Sequence, residues 1–98
     1  MRLNFFNKRF LFADSSDTLC FTCCHVLEEN KSIRYISHDE DGSWQFLCGQ
    51  NHTQEEARVL SLAEIVGIDK EVGKLSHLKY GEYAEKDVGS DRWIVRKK

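Results

Sequence analysis

SIRYISHDEDGSWQFLCG, residues 32–49, is the stretch whose reading decides the fold. It reads as a β-hairpin. Two runs rich in β-branched and aromatic residues flank Asp39-Glu40-Asp41-Gly42, where Gly42 supplies the positive φ that such loops use. With residues 39–42 as the loop, Ser37 faces Trp44, Tyr35 faces Phe46 and Ile33 faces Cys48. Strand side chains alternate, so these six share one side of the ribbon and Arg34, Ile36, His38, Ser43, Gln45 and Leu47 share the other. The first side is built for a core, the second mostly for water.

Working outward, residues 18–26, TLCFTCCHV, read as a strand with Leu19, Phe21 and Cys23 on one side. ADSSD before it is a turn by composition, and Glu28-Glu29-Asn30-Lys31 after it is a polar connection. Residues 1–12 hold Phe5, Phe6, Phe10, Leu11 and Phe12 and read as a strand or arm that packs on the core. Beyond the hairpin, Thr53 followed by Glu56 fits a capping box that starts one helical turn. Ser61 and Glu64 repeat the signal ahead of Leu62, Ile65 and Val66, which predicts a short helix ended by Gly67. Residues 69–78 read as a loop with a helical turn whose Val72, Leu75 and Leu78 touch the core. Residues 83–87 and 92–96 form a second hairpin around Gly89, and Arg96-Lys97-Lys98 is a solvated tail. The expected fold is a single α+β domain over residues 1–98. A small antiparallel sheet is built from two hairpins plus an N-terminal strand, with one or two short helices on one face.

Bulk composition narrows the function classes. Hydrophobic residues at 41% and charged residues at 31% suit a folded soluble chain of 98 residues with one core. A net charge of -2 argues against non-specific nucleic-acid binding, which needs a concentrated basic surface. No apolar run approaches the roughly 20 residues of a membrane span. MRLNFFNKRFLF is interrupted by Asn4, Asn7, Lys8 and Arg9 and lacks the continuous apolar stretch of a signal peptide. The expectation is a cytoplasmic protein with its 4 cysteines reduced.

Those thiols are then buried packing groups or metal ligands. Cys20-Phe21-Thr22-Cys23 is a C-x-x-C, and Cys48 with His52 forms a C-x3-H further on. Zinc takes four N or S donors, and two short-spaced pairs are how small domains supply them. Cys20, Cys23, Cys48 and His52 are therefore the candidate ligands, and Cys24-His25 could replace one pair. An extended strand, however, points Cys20 and Cys23 to opposite faces, and free cysteines are more often small buried hydrophobes. Catalysis has less support. Adjacent strand residues Cys24 and His25 diverge, and no phosphate loop, HExxH or Ca²⁺ loop is present, so no enzyme activity is expected. The acidic tip Asp39-Glu40-Asp41 makes a local negative field suited to a basic protein surface, and Trp44 beside it is a binding anchor if exposed and core if buried.

Several of these elements also carry a resemblance. CHVLEENKSIRYISHDEDGSWQFLCG, then SLAEIVGID, then GEYAEKD ahead of Trp93, resembles a bacterial family of unknown function grouped with the immunity proteins of polymorphic toxin systems. The likeness covers residues 19–87, and its motifs are structural rather than catalytic. It implies a small non-enzymatic domain that binds and blocks a protein partner, a toxin. On the present residues that partner would meet Asp39, Glu40, Asp41 and Trp44. A zinc-stabilised domain without an assigned role is the alternative expectation.

Overall fold

A computed structural model describes residues 10–51, 53–87 and 89–98. The hairpin at its centre has a register one residue away from the expected one. Strand β2 (Tyr35–His38) pairs with β3 (Trp44–Leu47) so that His38 faces Trp44, Ile36 faces Phe46 and Tyr35 faces Leu47. The loop sets this parity. The Asp39 N–H donates to the Ser43 carbonyl at 2.7 Å and the Gly42 N–H donates to the Asp39 carbonyl at 2.9 Å, with Gly42 at φ +91°. The loop proper is thus three residues ending on a left-handed glycine, the form that closes with a bulge. Changing the loop by one residue turns every β2 side chain over. Ile36 and His38 therefore enter the core with Trp44 and Phe46, while Tyr35 and Ser37 move to the other face.

Strand β1 (Leu19–Cys23) is shorter than expected. The chain turns helical at its end, giving α1 (Cys24–Glu29), which Asn30 terminates at φ 59°. The Lys31 N–H reaches back to the His25 carbonyl at 3.0 Å, a closure that needs the left-handed residue between. After β3, the Thr53–Glu56 capping box forms as expected over a 3₁₀ turn (Gln54–Glu56). Strand β4 (Ala57–Ser61), absent from the sequence reading, follows directly. The Ser61–Glu64 box also forms and starts α2 (Leu62–Ile68). Gly67 does not end that helix. Asp69 does, and its carboxylate then accepts the Glu71 N–H at 3.0 Å to start a 3₁₀ segment (Lys70–Leu75). Val72, Leu75 and Leu78 are buried, as expected.

Strands β5 (Glu82–Lys86) and β6 (Trp93–Lys97) form the second hairpin. The C-terminal basic residues are not a loose tail. Lys97 lies in β6, the Lys98 N–H donates to the Gly81 carbonyl at 2.9 Å, and the Lys98 ammonium contacts the Asp39 carboxylate.

The sheet order is β4-β1-β3-β2-β5-β6. The expected antiparallel sheet is in fact mixed, because β1 runs parallel to β3. The reason is that α1 and β2 lie between them in the chain, and this crossover brings the chain back in the same direction. Registers place Cys20, Thr22, Ile36, Phe46, Leu60 and Ala84 on one face, all buried. Val26 of α1, Leu62 and Ile65 of α2 and the 3₁₀ residues Val72 and Leu75 join the same core. Phe12 meets Trp44 edge-on at 4.9 Å between ring centres, so this part of the N-terminal segment packs on the core as expected; Phe5 and Phe6 lie outside the described residues. The second face carries Leu19, Phe21, Tyr35, Leu47, Val59 and Tyr83, which are exposed or half-buried, with Leu19 66%, Phe21 41% and Val59 55% accessible, while Cys23 and Ser37 on the same face are buried.

Two glycines test the backbone account. A Cβ at Gly42 would meet nothing within 4 Å, so Gly42→Ala should cost only the left-handed backbone, about 1–2 kcal/mol in urea unfolding. Gly67 also has open space and no positive φ, so Gly67→Ala should stabilise by about 0.5–1 kcal/mol. A loss on Gly67→Ala, or no loss on Gly42→Ala, contradicts the assigned conformations.

Candidate functional site: a thiol–imidazole cluster beside an uncovered sheet face

Parallel neighbours end at the same end of a sheet, and this brings the chemistry together. Thr22 pairs with Phe46, and the Thr22 hydroxyl donates to the Phe46 carbonyl at 2.6 Å across the two strands. Cys23, the last residue of β1, and Cys48, just past β3, therefore emerge side by side. The turn into α1 swings His25 back over them. Antiparallel β4 sets Ala57 opposite Cys23, so the preceding Glu56 arrives at the same corner. The His25 Nδ1 lies 3.8 Å from the Cys48 Sγ, and its Nε2 lies 3.6 Å from a Glu56 carboxylate oxygen. One ligand atom each from Cys23, His25 and Cys48 falls within 4.8 Å of the others, and Cys24, His25 and Glu56 meet the same limit. Cys23 is fully buried, Cys48 8% exposed and His25 half-buried.

Cys20 does not join them. It points into the core opposite Leu60, where burial, aided by the nearby Glu64 charge, pushes its thiol up to about 12. His52 lies outside the described residues, so the expected C-x3-H is not placed. Of the four expected ligands, the structure brings Cys23 and Cys48 together. His25 and Glu56 complete the group.

Burial raises the Cys48 thiol, and hydrogen bonding and repulsion from Cys23 add to this against a lowering contact from the Gln50 backbone. Cys24 is raised by desolvation and by Glu56, Glu28 and Glu29, against the opposing charge of Arg58. Cys–His–carboxylate geometry can serve nucleophilic catalysis, but a nucleophile needs a depressed, accessible thiol, and Cys48, the thiol nearest the imidazole, is buried and raised. Buried thiols beside imidazole suit a soft metal ion better.

The hairpin tip has its own structure. Asp39 accepts hydrogen bonds from Gln45 Nε2 at 2.7 Å and from the Lys98 ammonium, and Asp41 accepts the Ser43 N–H at 2.9 Å. Glu40 and Asp41 are exposed. Trp44 is 1% exposed, its indole stacked on His38 at 3.9 Å and its Nε1 donating to Asp14 at 3.3 Å, so it is core rather than an anchor for a partner. On this second face, an open concavity of about 670 Å³ lies between the sheet and Gly49, Gln50, Asn51, Thr53 and Gln54, lined among others by Phe21, Tyr35, Gln45 and Leu47. Cys23 lines it too, which joins the thiol cluster to this surface.

No protein-family model, curated protein or solved structure matches this chain. The described residues contain no helix long and apolar enough to cross a membrane.

The tip yields a pH prediction. Burial alone would raise the Asp39 carboxyl, but hydrogen bonds from Lys98 and Gln45 outweigh it and hold the group below the usual range. A depressed carboxyl stabilises the fold above its unfolded value, about 3.9, and that stability disappears as pH falls through the folded value. Lys98 is raised by the same contact, so its contribution is lost only above the ordinary lysine range. Asp39→Asn should remove about 1 kcal/mol or less at pH 7, given the partly exposed pair, and flatten the acid limb of the stability profile below pH ~4. An unchanged acid limb contradicts the assignment.

Proposed function

We propose that this chain is a small binding domain that recognises a partner protein without doing chemistry on it, in line with the resemblance to toxin-blocking immunity proteins. The observation that carries the reading is the apolar row on the sheet face that no described helix covers. Phe21 stands opposite Val59 in register, Leu19 is two residues along the same strand, and all three are exposed. Exposed apolar side chains scattered singly need no explanation, but a row on an uncovered face beside stacked aromatics is how interfaces are built. Tyr35 and Tyr83 supply that stack, with ring centres 5.5 Å apart.

The acidic tip keeps a share in this reading. Glu40 and Asp41 stand on a loop held in one shape by Asp39, so their charge is presented rather than mobile. Such charges act chiefly on the rate of encounter with a basic surface, while the apolar face supplies the lasting contact. Trp44 is buried and drops out of the interface, and Phe21 takes the anchoring role that an exposed Trp44 would have had.

The test separates the two parts. Phe21→Glu combined with Val59→Glu changes only exposed positions and should abolish capture of the partner by the immobilised domain while its melting curve is retained. Glu40→Lys with Asp41→Lys should slow association several-fold at low salt and leave dissociation nearly unchanged. A partner held equally by the wild type and the Phe21/Val59 variant removes the sheet face from the proposal.

A further inference from the structure

We propose that Cys23, His25 and Cys48 bind one zinc ion through two sulfurs and the His25 Nδ1, with Glu56 holding the imidazole from its far side. Three elements distant in sequence converge here: the end of β1, the first turn of α1 and the residue beyond β3. Two thiols and an imidazole whose ligand atoms fall within 4.8 Å of one another match the donor types and the compactness of a tetrahedral zinc shell. The set has no oxygen-rich character, so it discriminates against calcium and magnesium.

The second ring nitrogen strengthens the case. A metal-bound histidine almost always gives its other N–H to a carboxylate or carbonyl, which fixes ring orientation and raises ligand basicity. His25 is arranged in this way, its Nδ1 toward Cys48 and its Nε2 3.6 Å from Glu56. A purely structural corner needs a buried thiol or two. It does not need an imidazole with a sulfur on one side and a carboxylate on the other. Glu56 is itself held, since one of its oxygens accepts the Thr53 N–H at 2.9 Å in the capping box. Three protein donors leave a fourth position for water or another donor. Binding is ligand exchange: the two thiols release their protons to solvent as two zinc–sulfur bonds form, and nothing is oxidised or reduced.

The consequence for the surface is direct. Cys23 lines the concavity of the second face, and Glu56 closes the 3₁₀ turn beside it, whose Thr53 and Gln54 wall the same space. Zinc at this corner ties the ends of β1 and β3 to α1 and, through Glu56, to that wall.

Native mass spectrometry of the reduced protein with a small excess of zinc tests the proposal, alongside cobalt substitution read by its thiolate-to-metal absorption band. One ion per chain is expected for the wild type and for Cys20→Ser, whose thiol faces the core. Cys48→Ser and His25→Gln should bind far more weakly, and Glu56→Gln, a positioning change, about 10-fold more weakly. His25→Gln sits at a half-buried helix position and keeps the readout meaningful if Cys48→Ser fails to fold. No retained zinc in the wild type overturns the proposal. So does a Cys20→Ser variant as impaired as Cys48→Ser. The partner-binding reading stands or falls separately, on the Phe21 and Val59 variants.

Discussion

The pairing of β1 with β3 in the same direction is the constraint on which most of this molecule depends. Antiparallel neighbours can be joined by a tight turn, but parallel ones need the chain to cross over, and α1 with β2 is that crossover. The pairing is fastened inside the core by Thr22, whose hydroxyl reaches the Phe46 carbonyl. From it follow the position of β4 on the outer side of β1, the shared end at which Cys23 and Cys48 emerge, and the arrival of Glu56 at the same corner. A strictly antiparallel sheet would have sent those cysteines to opposite ends.

What could be read from the sequence was mostly local. Both capping boxes are decided by side chains three residues apart, and both formed. The two hairpins were visible because β-branched and aromatic runs bracket glycine-bearing turns. Register was not, because it hangs on loop parity, and a loop of four or three residues fits Asp39-Glu40-Asp41-Gly42 equally well by composition. That single residue moved His38 from the solvent to a stack on Trp44, with its Nδ1 donating to the Leu78 carbonyl at 2.8 Å. β4 is not legible in the sequence because ARVLS follows a helix-start signal and lies at the sheet's edge, with Leu60 its one buried residue.

The candidate site was half legible for a related reason. Cysteine spacing points to Cys20, Cys23, Cys48 and His52, and strand alternation says only that Cys20 and Cys23 face opposite ways; the structure puts Cys23 with Cys48 and Cys20 in the core. Read as strand, Cys24 and His25 diverge, which denies His25 a role as base. The strand in fact stops at Cys23, before both residues, and a helical turn reverses the divergence. A signal for that turn was present in Asn30, a residue that tolerates the left-handed helix stop, placed after Glu28 and Glu29. Glu56 was recognised only as a cap. Its second contact depends on β4 pairing with β1, an arrangement that no local pattern encodes.

The same topology sets an order of events for the newly made chain. The β2–β3 and β5–β6 hairpins close over short loops and can form first. β1 finds its partners only when Phe46 and Ala57 come back to it from far along the chain. Until then Cys23, Cys24 and Cys48 are ordinary exposed thiols, open to oxidation and to any soft metal in reach. The two thiols that the finished fold buries, Cys23 and Cys48, therefore belong to a corner assembled late, and its chemistry is most vulnerable before the structure exists.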